Sequence, residues 1–245
     1  MNTQFQYTVQ IIADVNQLSE ALNLRYRVYK KAYPLLLGNN QGQEYETDEF
    51  DKRSVHLGLY YENNENKKLA GYCRFILPTK FSEHYSKILL KECPLYNKRM
   101  DNACAEKLAF IEKLPHEHKE KVISFCNSLE ERNVIYTETS RFIIEEEHSS
   151  ILLASFFVLC MFTICDGLKI KYSFLSCPHH HAAFYKRFRL TPFQGLLPYN
   201  TETYATSHII FGTDLSVAST AFKSSIKKLQ FQYKTNHMFY FSRVA

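Results

Sequence analysis

The sequence predicts an α/β (α+β) fold with a central mixed, mostly antiparallel sheet flanked by helices. Three observations carry this expectation. Period-2 and period-3.6 apolar patterns alternate along the chain, in the order β-α-β-β-(α)-β-α-β-α-β. The 245 residues are 45% hydrophobic and 22% charged, enough apolar material for one large core. A 15-residue apolar run, ILLASFFVLCMFTIC at 151–165, is short of the roughly 20 residues of a membrane span and reads as a buried helix.

The elements follow in order. Residues 5–12 form the first strand candidate. Asp14 opens a helix, with Gln17 three residues on as in a capping box. Leu18, Leu22, Tyr26 and Tyr29 line one face of it, and it ends near Pro34. A polar stretch covers 38–53. Residues 54–61 and 68–77 read as a hairpin around the Asn63-Asn64-Glu65-Asn66 turn. Residues 80–130 read as mostly helical, with breaks at Pro94 and Pro115. A β-branched and aromatic strand covers 133–144, the apolar helix 149–167, and a buried strand 169–176. A short helix at 179–188 precedes strands at 193–199 and 203–211. The tail, about 216–233, is basic and partly helical. The expected organisation is one domain over 1–213 with a C-terminal basic extension, 214–245, packed on it.

Composition removes several function classes. There are only 7 Gly and 7 Pro, and neither a G-x-G-x-x-G nor a G-x-x-x-x-G-K-[ST] loop, which argues against a glycine-loop nucleotide enzyme. The net charge of +5 permits an acidic partner without requiring nucleic acid, and no basic stripe with interleaved aromatics is present. Cys73, Cys93, Cys104, Cys126, Cys160, Cys165 and Cys177 form no C-x-x-C pair and mostly lie in apolar runs. They read as reduced, buried residues of a cytoplasmic protein. The first residues lack a basic region followed by an apolar core, so no secretory signal is expected. His179, His180 and His181 are consecutive and point apart on a helix, so no metal site is expected.

Four segments share order and spacing with a known family. They are Leu24-Arg25-Tyr26-Arg27-Val28-Tyr29-Lys30, Glu46-Thr47-Asp48-Glu49-Phe50-Asp51, Gly71-Tyr72-Cys73-Arg74-Phe75-Ile76-Leu77-Pro78 and Glu138-Thr139-Ser140-Arg141-Phe142. They resemble the L-R-x-x-V-F-K, E-x-D-x-x-D, G-x-x-R-L-L-P and E-x-S-R-F segments of acyl-homoserine lactone synthases. Pro178-His179-His180-His181-Ala182-Ala183-Phe184-Tyr185-Lys186-Arg187 resembles the P-x-H-x-x-x-Y-x-R helix of N-acyl amino acid synthases. The resemblance implies the GNAT acyltransferase fold, whose element order is the one read above. It also implies an acyl-phosphopantetheine thioester donor (acyl carrier protein, or acyl-CoA) and no tightly bound cofactor. Two departures stand out. Arg189-Leu190 replaces a Gly-Phe pair, and the chain has no Trp, which lactone synthases usually carry soon after the first helix. The second favours an amino acid or related amine as acceptor.

The resemblance makes Glu138 the candidate base and Tyr185 the candidate acid for the leaving thiolate. Arg25, Tyr29, Asp48, Asp51, Arg74, Ser140, Arg141, Phe142 and His180 are candidate substrate-binding residues, with His180 set to meet the acceptor or Glu138. Read from the residues alone, Arg25 and Arg74 fall on faces expected to be buried, and a buried Arg requires carboxylates, here Asp48 and Asp51. A regular strand would put Glu138 on one face with Tyr136, Ser140 and Phe142, and Arg141 on the other. A bulge would let Glu138 and Arg141 serve neighbouring surfaces. The structural alternatives are an ion pair of these residues with Arg74 or Asp51, and a core role for Tyr185. The loop Glu145-Glu146-Glu147-His148-Ser149-Ser150 has no glycine and three carboxylates where acetyl-CoA enzymes of this fold cradle a pyrophosphate. That pattern favours a donor on acyl carrier protein, for which Lys186, Arg187 and Arg189, or Lys223, Lys227, Lys228 and Lys234, offer docking charges. The leading expectation is an N-acyltransferase. A CoA-dependent acetyltransferase and a catalytically silent acyl- or carrier-binding module are the alternatives.

Overall fold

A computed structural model of the chain describes residues 6–37, 44–63, 66–82, 107–201 and 204–242. Its strands are β1 (Gln6–Ile11), β2 (Ser54–Glu62), β3 (Lys67–Ile76), β4 (Tyr136–Ile144), β5 (Tyr172–Pro178), β6 (Tyr199–Thr201), β7 (Tyr204–Asp214) and β8 (Phe239–Ser242). They form one sheet in the order β6-β7-β5-β4-β3-β2-β1-β8. The β4–β5 pair is parallel and the other pairs are antiparallel. The helices are α1 (Val15–Ala32), α2 (Thr79–Ser82), α3 (His116–Glu131), α4 (Ile151–Gly167), α5 (Ala182–Lys186), α6 (Leu215–Ala221) and α7 (Lys223–Asn236). This is the expected mixed α/β architecture.

Local chemistry places the helix ends. Asp14 caps α1 by accepting from the Gln17 N–H at 2.8 Å, while the Gln17 side chain takes the Ala13 N–H at 3.4 Å. α1 stops before Pro34, which a helix interior rejects. Pro115 starts α3, and Ser150 caps α4 through the Leu153 N–H. No helix among the described residues is long and apolar enough to cross a membrane.

Each strand splits its side chains between two faces. One face carries Val55, Leu57, Cys73, Phe75, Leu175, Cys177, Ile209 and Phe211 and is covered by α4, α6 and α7. On the other face α1 covers Tyr60, Leu69 and Tyr72, and α3 covers Tyr136, Phe174 and Ile210. The two helices on this second face leave a cleft between them at β3 and β4, where the polar residues collect.

Some expectations need correction. Residues 193–198 are a turn and loop rather than a strand, and pairing resumes only at Tyr199, the first residue of β6. Only an isolated bridge, Pro192 to Phe211, lies near them, because Gly195 sits at φ +76° and Pro198 has no N–H for a ladder. Asn133 and Lys169 are left-handed (φ 53° and 60°), so β4 and β5 begin later than expected. Tyr26 is half-buried, whereas Arg25 is wholly buried. The tail adds β8, which pairs with β1 and extends the sheet edge. The expected break at Pro94, and Cys93 and Cys104, lie outside the described residues. The five described cysteines are free and buried.

Candidate active site

The site grows from an irregularity in β4. Tyr72 pairs with Ile143 and Arg74 with Ser140, so Arg141 and Phe142 together oppose Cys73. Arg141 adopts φ +58°, a left-handed conformation costly for a residue with a Cβ. The bulge turns Phe142 to the face under α4, where its ring packs 5.3 Å from Phe157. Phe142 thus leaves the face of Glu138 and Ser140, which a regular strand would have kept it on. Arg141 instead turns into the cleft, its guanidinium 5.4 Å from the Tyr29 ring centre. On the other side, β4 and β5 stay paired only to Thr139–Leu175. Beyond that point the backbone of 140–144 has no strand partner on its β5 side among the described residues.

The cleft is built on three arginines and three carboxylates. Arg25 donates from Nε to Glu46 and from Nη1 to Asp51 Oδ1 at 2.6 Å. Arg74 holds Asp48 with two parallel bonds of 2.6 Å and also contacts Asp51. Arg141 donates from Nη2 to Glu46 at 3.0 Å and to Asp48 at 2.9 Å. Both carboxylates expected beside Arg25 and Arg74 are there, and Glu46 is the partner the sequence reading did not assign. The loop carrying them is held by its own capping box, in which Asp51 accepts the Asp48 N–H at 2.9 Å and Asp48 the Phe50 N–H at 3.0 Å. Burial alone would raise the Asp48 carboxyl, but Arg74 and then Arg141 hold it well below the usual range. His56 props Asp51 from beneath: its Nε2–H donates to the Asp51 carbonyl at 3.1 Å, and the Tyr72 hydroxyl donates to its Nδ1 at 2.6 Å. Burial pushes His56 down to about 4, so it is neutral at pH 7.

Glu138 lies beside this network, 4% exposed. Its carboxylate accepts the Phe110 N–H at 3.2 Å, from a 3-10 turn at Ala109–Lys113. Burial raises it to about 7, more than nearby Arg74 and Arg141 and the backbone N–H bonds can offset. Lys113, on the same turn, lies within electrostatic reach of Arg141, Asp48 and Glu138, and its partial burial lowers its pKa. His208, 5% exposed, lies within electrostatic reach of Lys113 and pairs in register with Pro178 just before the His179–His181 turn. Lys113 and His208 were missed in the sequence because neither stands in a motif; chain folding alone brings Lys113 within electrostatic reach of Glu138 and His208 within reach of Lys113.

Tyr185 is buried against Phe184 and Phe211. Burial raises its phenol far above 10, and it senses the Cys177 and Cys73 thiols and the Tyr33 and Tyr29 phenols. It therefore stands where β5, β3 and α1 converge around the β4–β5 gap. His180 does not meet Glu138. It is exposed on the 3-10 turn with its ring against His181. The turn of α5 ends with Arg189 at φ +63°, in the left-handed position that a glycine would fill without strain.

The β4–α4 loop is acidic but charge-matched. Glu145 pairs with Arg27 at 2.7 Å, Glu147 with Lys68 at 3.0 Å, and Glu146 contacts Lys31. Its N–H groups at His148 and Ser149 go to the carbonyls of Glu145 and Glu146. Glu145, Glu147 and His148 stand close enough to share an ion, yet the lysine and arginine already neutralise the carboxylates.

A family model described as an acetyltransferase (GNAT) domain matches residues 24–121. Solved structures similar to the chain include FeeM, an N-acyl amino acid synthase from uncultured soil microbes. It is 17% identical over 87% of this chain and 93% of that one, with a TM-score of 0.52. BjaI, a CoA-dependent acyl-homoserine lactone synthase solved with SAM and isopentyl-CoA, is 13% identical over 90% of each chain, at 0.54. The acyl-homoserine lactone synthase LasI is 14% identical over 87% of this chain and 91% of that one, at 0.50. No curated protein sequence matches the chain. At such identities the shared property is the fold, and the chain has the GNAT fold with neighbours of the two kinds that its segments resemble.

Proposed function

We propose that the chain is an N-acyltransferase that moves an acyl group, of long-chain type, from an acyl carrier protein thioester to the amine of an amino acid or related small amine. The observation that carries this reading is Glu138, a buried carboxyl raised to about 7 beside an unpaired stretch of β4 backbone. Acyl transfer to an amine needs a base for the ammonium proton, donors for the carbonyl oxygen and an acid for the thiolate. Glu138 takes the proton, directly or through water, and its raised pKa suits that task near pH 7. The free amine attacks the thioester carbon, and backbone N–H groups along the open edge of β4 face the developing oxyanion. The C–S bond then breaks, the Tyr185 hydroxyl protonates the thiolate, and the resulting phenolate takes the remaining extra proton from the acylated nitrogen, which leaves the neutral amide and restores the Tyr185 hydroxyl. The arginine–carboxylate network keeps the 44–53 loop over the acceptor side, and Lys113 would meet an acceptor carboxylate.

For the donor, the turn bonds and ion pairs of the β4–α4 loop leave it poorly suited to a pyrophosphate, which supports a carrier-borne pantetheine. Exposed Lys186, Arg187 and Arg189 beside Tyr185 suit an acidic carrier. Acyl-CoA is the second reading, because the loop carboxylates are charge-matched and repel a phosphate less than the sequence suggests. Incubation with matched acyl carrier and acyl-CoA thioesters and an amino acid pool, followed by mass spectrometry, tests both readings. The expected result is an N-acyl product, at least tenfold faster from the carrier thioester, with turnover reduced about a hundredfold or more in Glu138→Gln. Absence of any N-acyl product from either donor would sink the assignment.

A further inference from the structure

α7 is held to the body of the protein by one side only. Ile226 and Leu229 are buried, Tyr233 stacks on Phe239 at 5.1 Å, and Gln230 donates to Asp166 at 2.8 Å. The outward side carries Lys223, Lys227, Lys228 and Lys234, all exposed, and Phe231, whose surface is 74% exposed. On a helix, Lys227, Lys228 and Lys234 stand four and three residues before and three after Phe231, so three ammonium groups surround one protruding ring. No Asp or Glu occurs anywhere in residues 215–245. Asp214, the nearest acid in sequence, caps α6 through the Ser216 N–H, and Asp166, which lies against α7, takes Gln230. Among the described residues none of these lysines has a salt-bridge partner.

We propose that this face of α7 docks the protein on an anionic lipid surface, with Phe231 inserted at the headgroup level and the lysines held at the phosphates. The chemistry favours a lipid surface over an acidic protein. The charges are all lysines, hydrated point charges on flexible stems that answer to diffuse negative charge, with no arginine fork for bidentate recognition. An apolar ring ringed by long cationic side chains is what an interfacial helix presents to a bilayer: the ring enters and the ammonium groups snorkel outward. The proposal is independent of the acyl-transfer assignment, since it uses no residue of the candidate active site.

The chain has no Trp, so Phe231→Trp introduces a sole indole at the contact point. The full chain is floated with phosphatidylcholine vesicles with and without phosphatidylglycerol, at low and high salt, and the indole emission of Phe231→Trp is followed. Binding to the phosphatidylglycerol vesicles, loss of binding at high salt and a blue shift of the indole are expected. Each lysine removed should lower partition about fivefold, the equivalent of about 1 kcal/mol per charge, so Lys227→Gln/Lys228→Gln/Lys234→Gln should bind about a hundredfold more weakly. Circular dichroism verifies that this variant is folded. Absence of flotation at low salt, or flotation undiminished in the folded triple variant, overturns the proposal. An indole shift produced by an acidic carrier protein and not by vesicles also overturns it, and makes the face a protein-docking site.

Discussion

Glu138→Gln keeps the shape of the side chain and removes its ionisation, which separates chemistry from stability. A carboxyl raised from 4.5 to about 7 in the folded state binds a proton there that the unfolded chain has already lost. Its contribution to stability therefore falls as pH rises from about 4.5 to about 7. At pH 8 the variant should be more stable than the parent by about 3 kcal/mol in urea unfolding, while its turnover collapses. A variant both inactive and destabilised would point to a purely structural carboxyl. Arg74 makes the opposite case. Arg74→Ala takes a guanidinium from buried Asp51, leaving it Arg25, and from half-buried Asp48, leaving it Arg141, and it empties a fully buried side-chain site, so a loss of about 3–5 kcal/mol is expected in the same measurement.

At the scale of the element, two left-handed residues do different work. Arg141 holds its φ of +58° because its guanidinium is claimed by Glu46 and Asp48, and the bulge it makes opens β4 toward the cleft. Arg189 adopts φ +63° on an exposed turn where no ion pair holds it among the described residues. Arg189→Gly should raise stability by about 0.5–1 kcal/mol, measured by thermal unfolding, because only glycine takes this backbone without strain. β3 shows why its first motif residue is glycine: a Cβ on Gly71 would stand 2.8 Å from the Ile143 carbonyl of β4. The bulge and this close approach belong to one local arrangement, since Gly71 and Tyr72 pair with Ile144 and Ile143 just beyond it.

For the whole molecule, two buried groups set opposing pH slopes. His56 is lowered from 6.5 to about 4, so the unfolded chain binds the extra proton and stability rises with pH between about 4 and 6.5. Glu138 acts in the opposite sense between about 4.5 and 7. The parent should therefore show a shallow stability profile across pH 5 to 6.5, and Glu138→Gln a distinctly rising one. A parent profile as steep as that of the variant would refute the opposition. Below about pH 4 the unfolded chain takes up protons at Asp48 and Asp51 that the folded protein still excludes, so the stability of both proteins should fall progressively with added acid.

Much of the framework was legible in the chain. The Asp14 cap, the 54–76 hairpin, the apolar α4 and the demand of Arg25 and Arg74 for Asp48 and Asp51 all follow from local pattern or from charge that cannot be buried alone. What failed or was missed depended on distant neighbours. Phe142 changed face because the left-handed Arg141 inserts a residue into the register, and that conformation is held by carboxylates from the 44–53 loop. β8 exists because β1 offers an edge. Lys113 comes within reach of Glu138, and His208 within reach of Lys113, from separate segments, and the Glu138 pKa follows from burial that no local pattern encodes. The sequence by itself determined the element order and the charges that had to pair, since periodicity and desolvation act on each segment wherever it lies. Only the tertiary structure decided which face the site occupies and how its carboxyl titrates, because register and burial are properties of segments brought together.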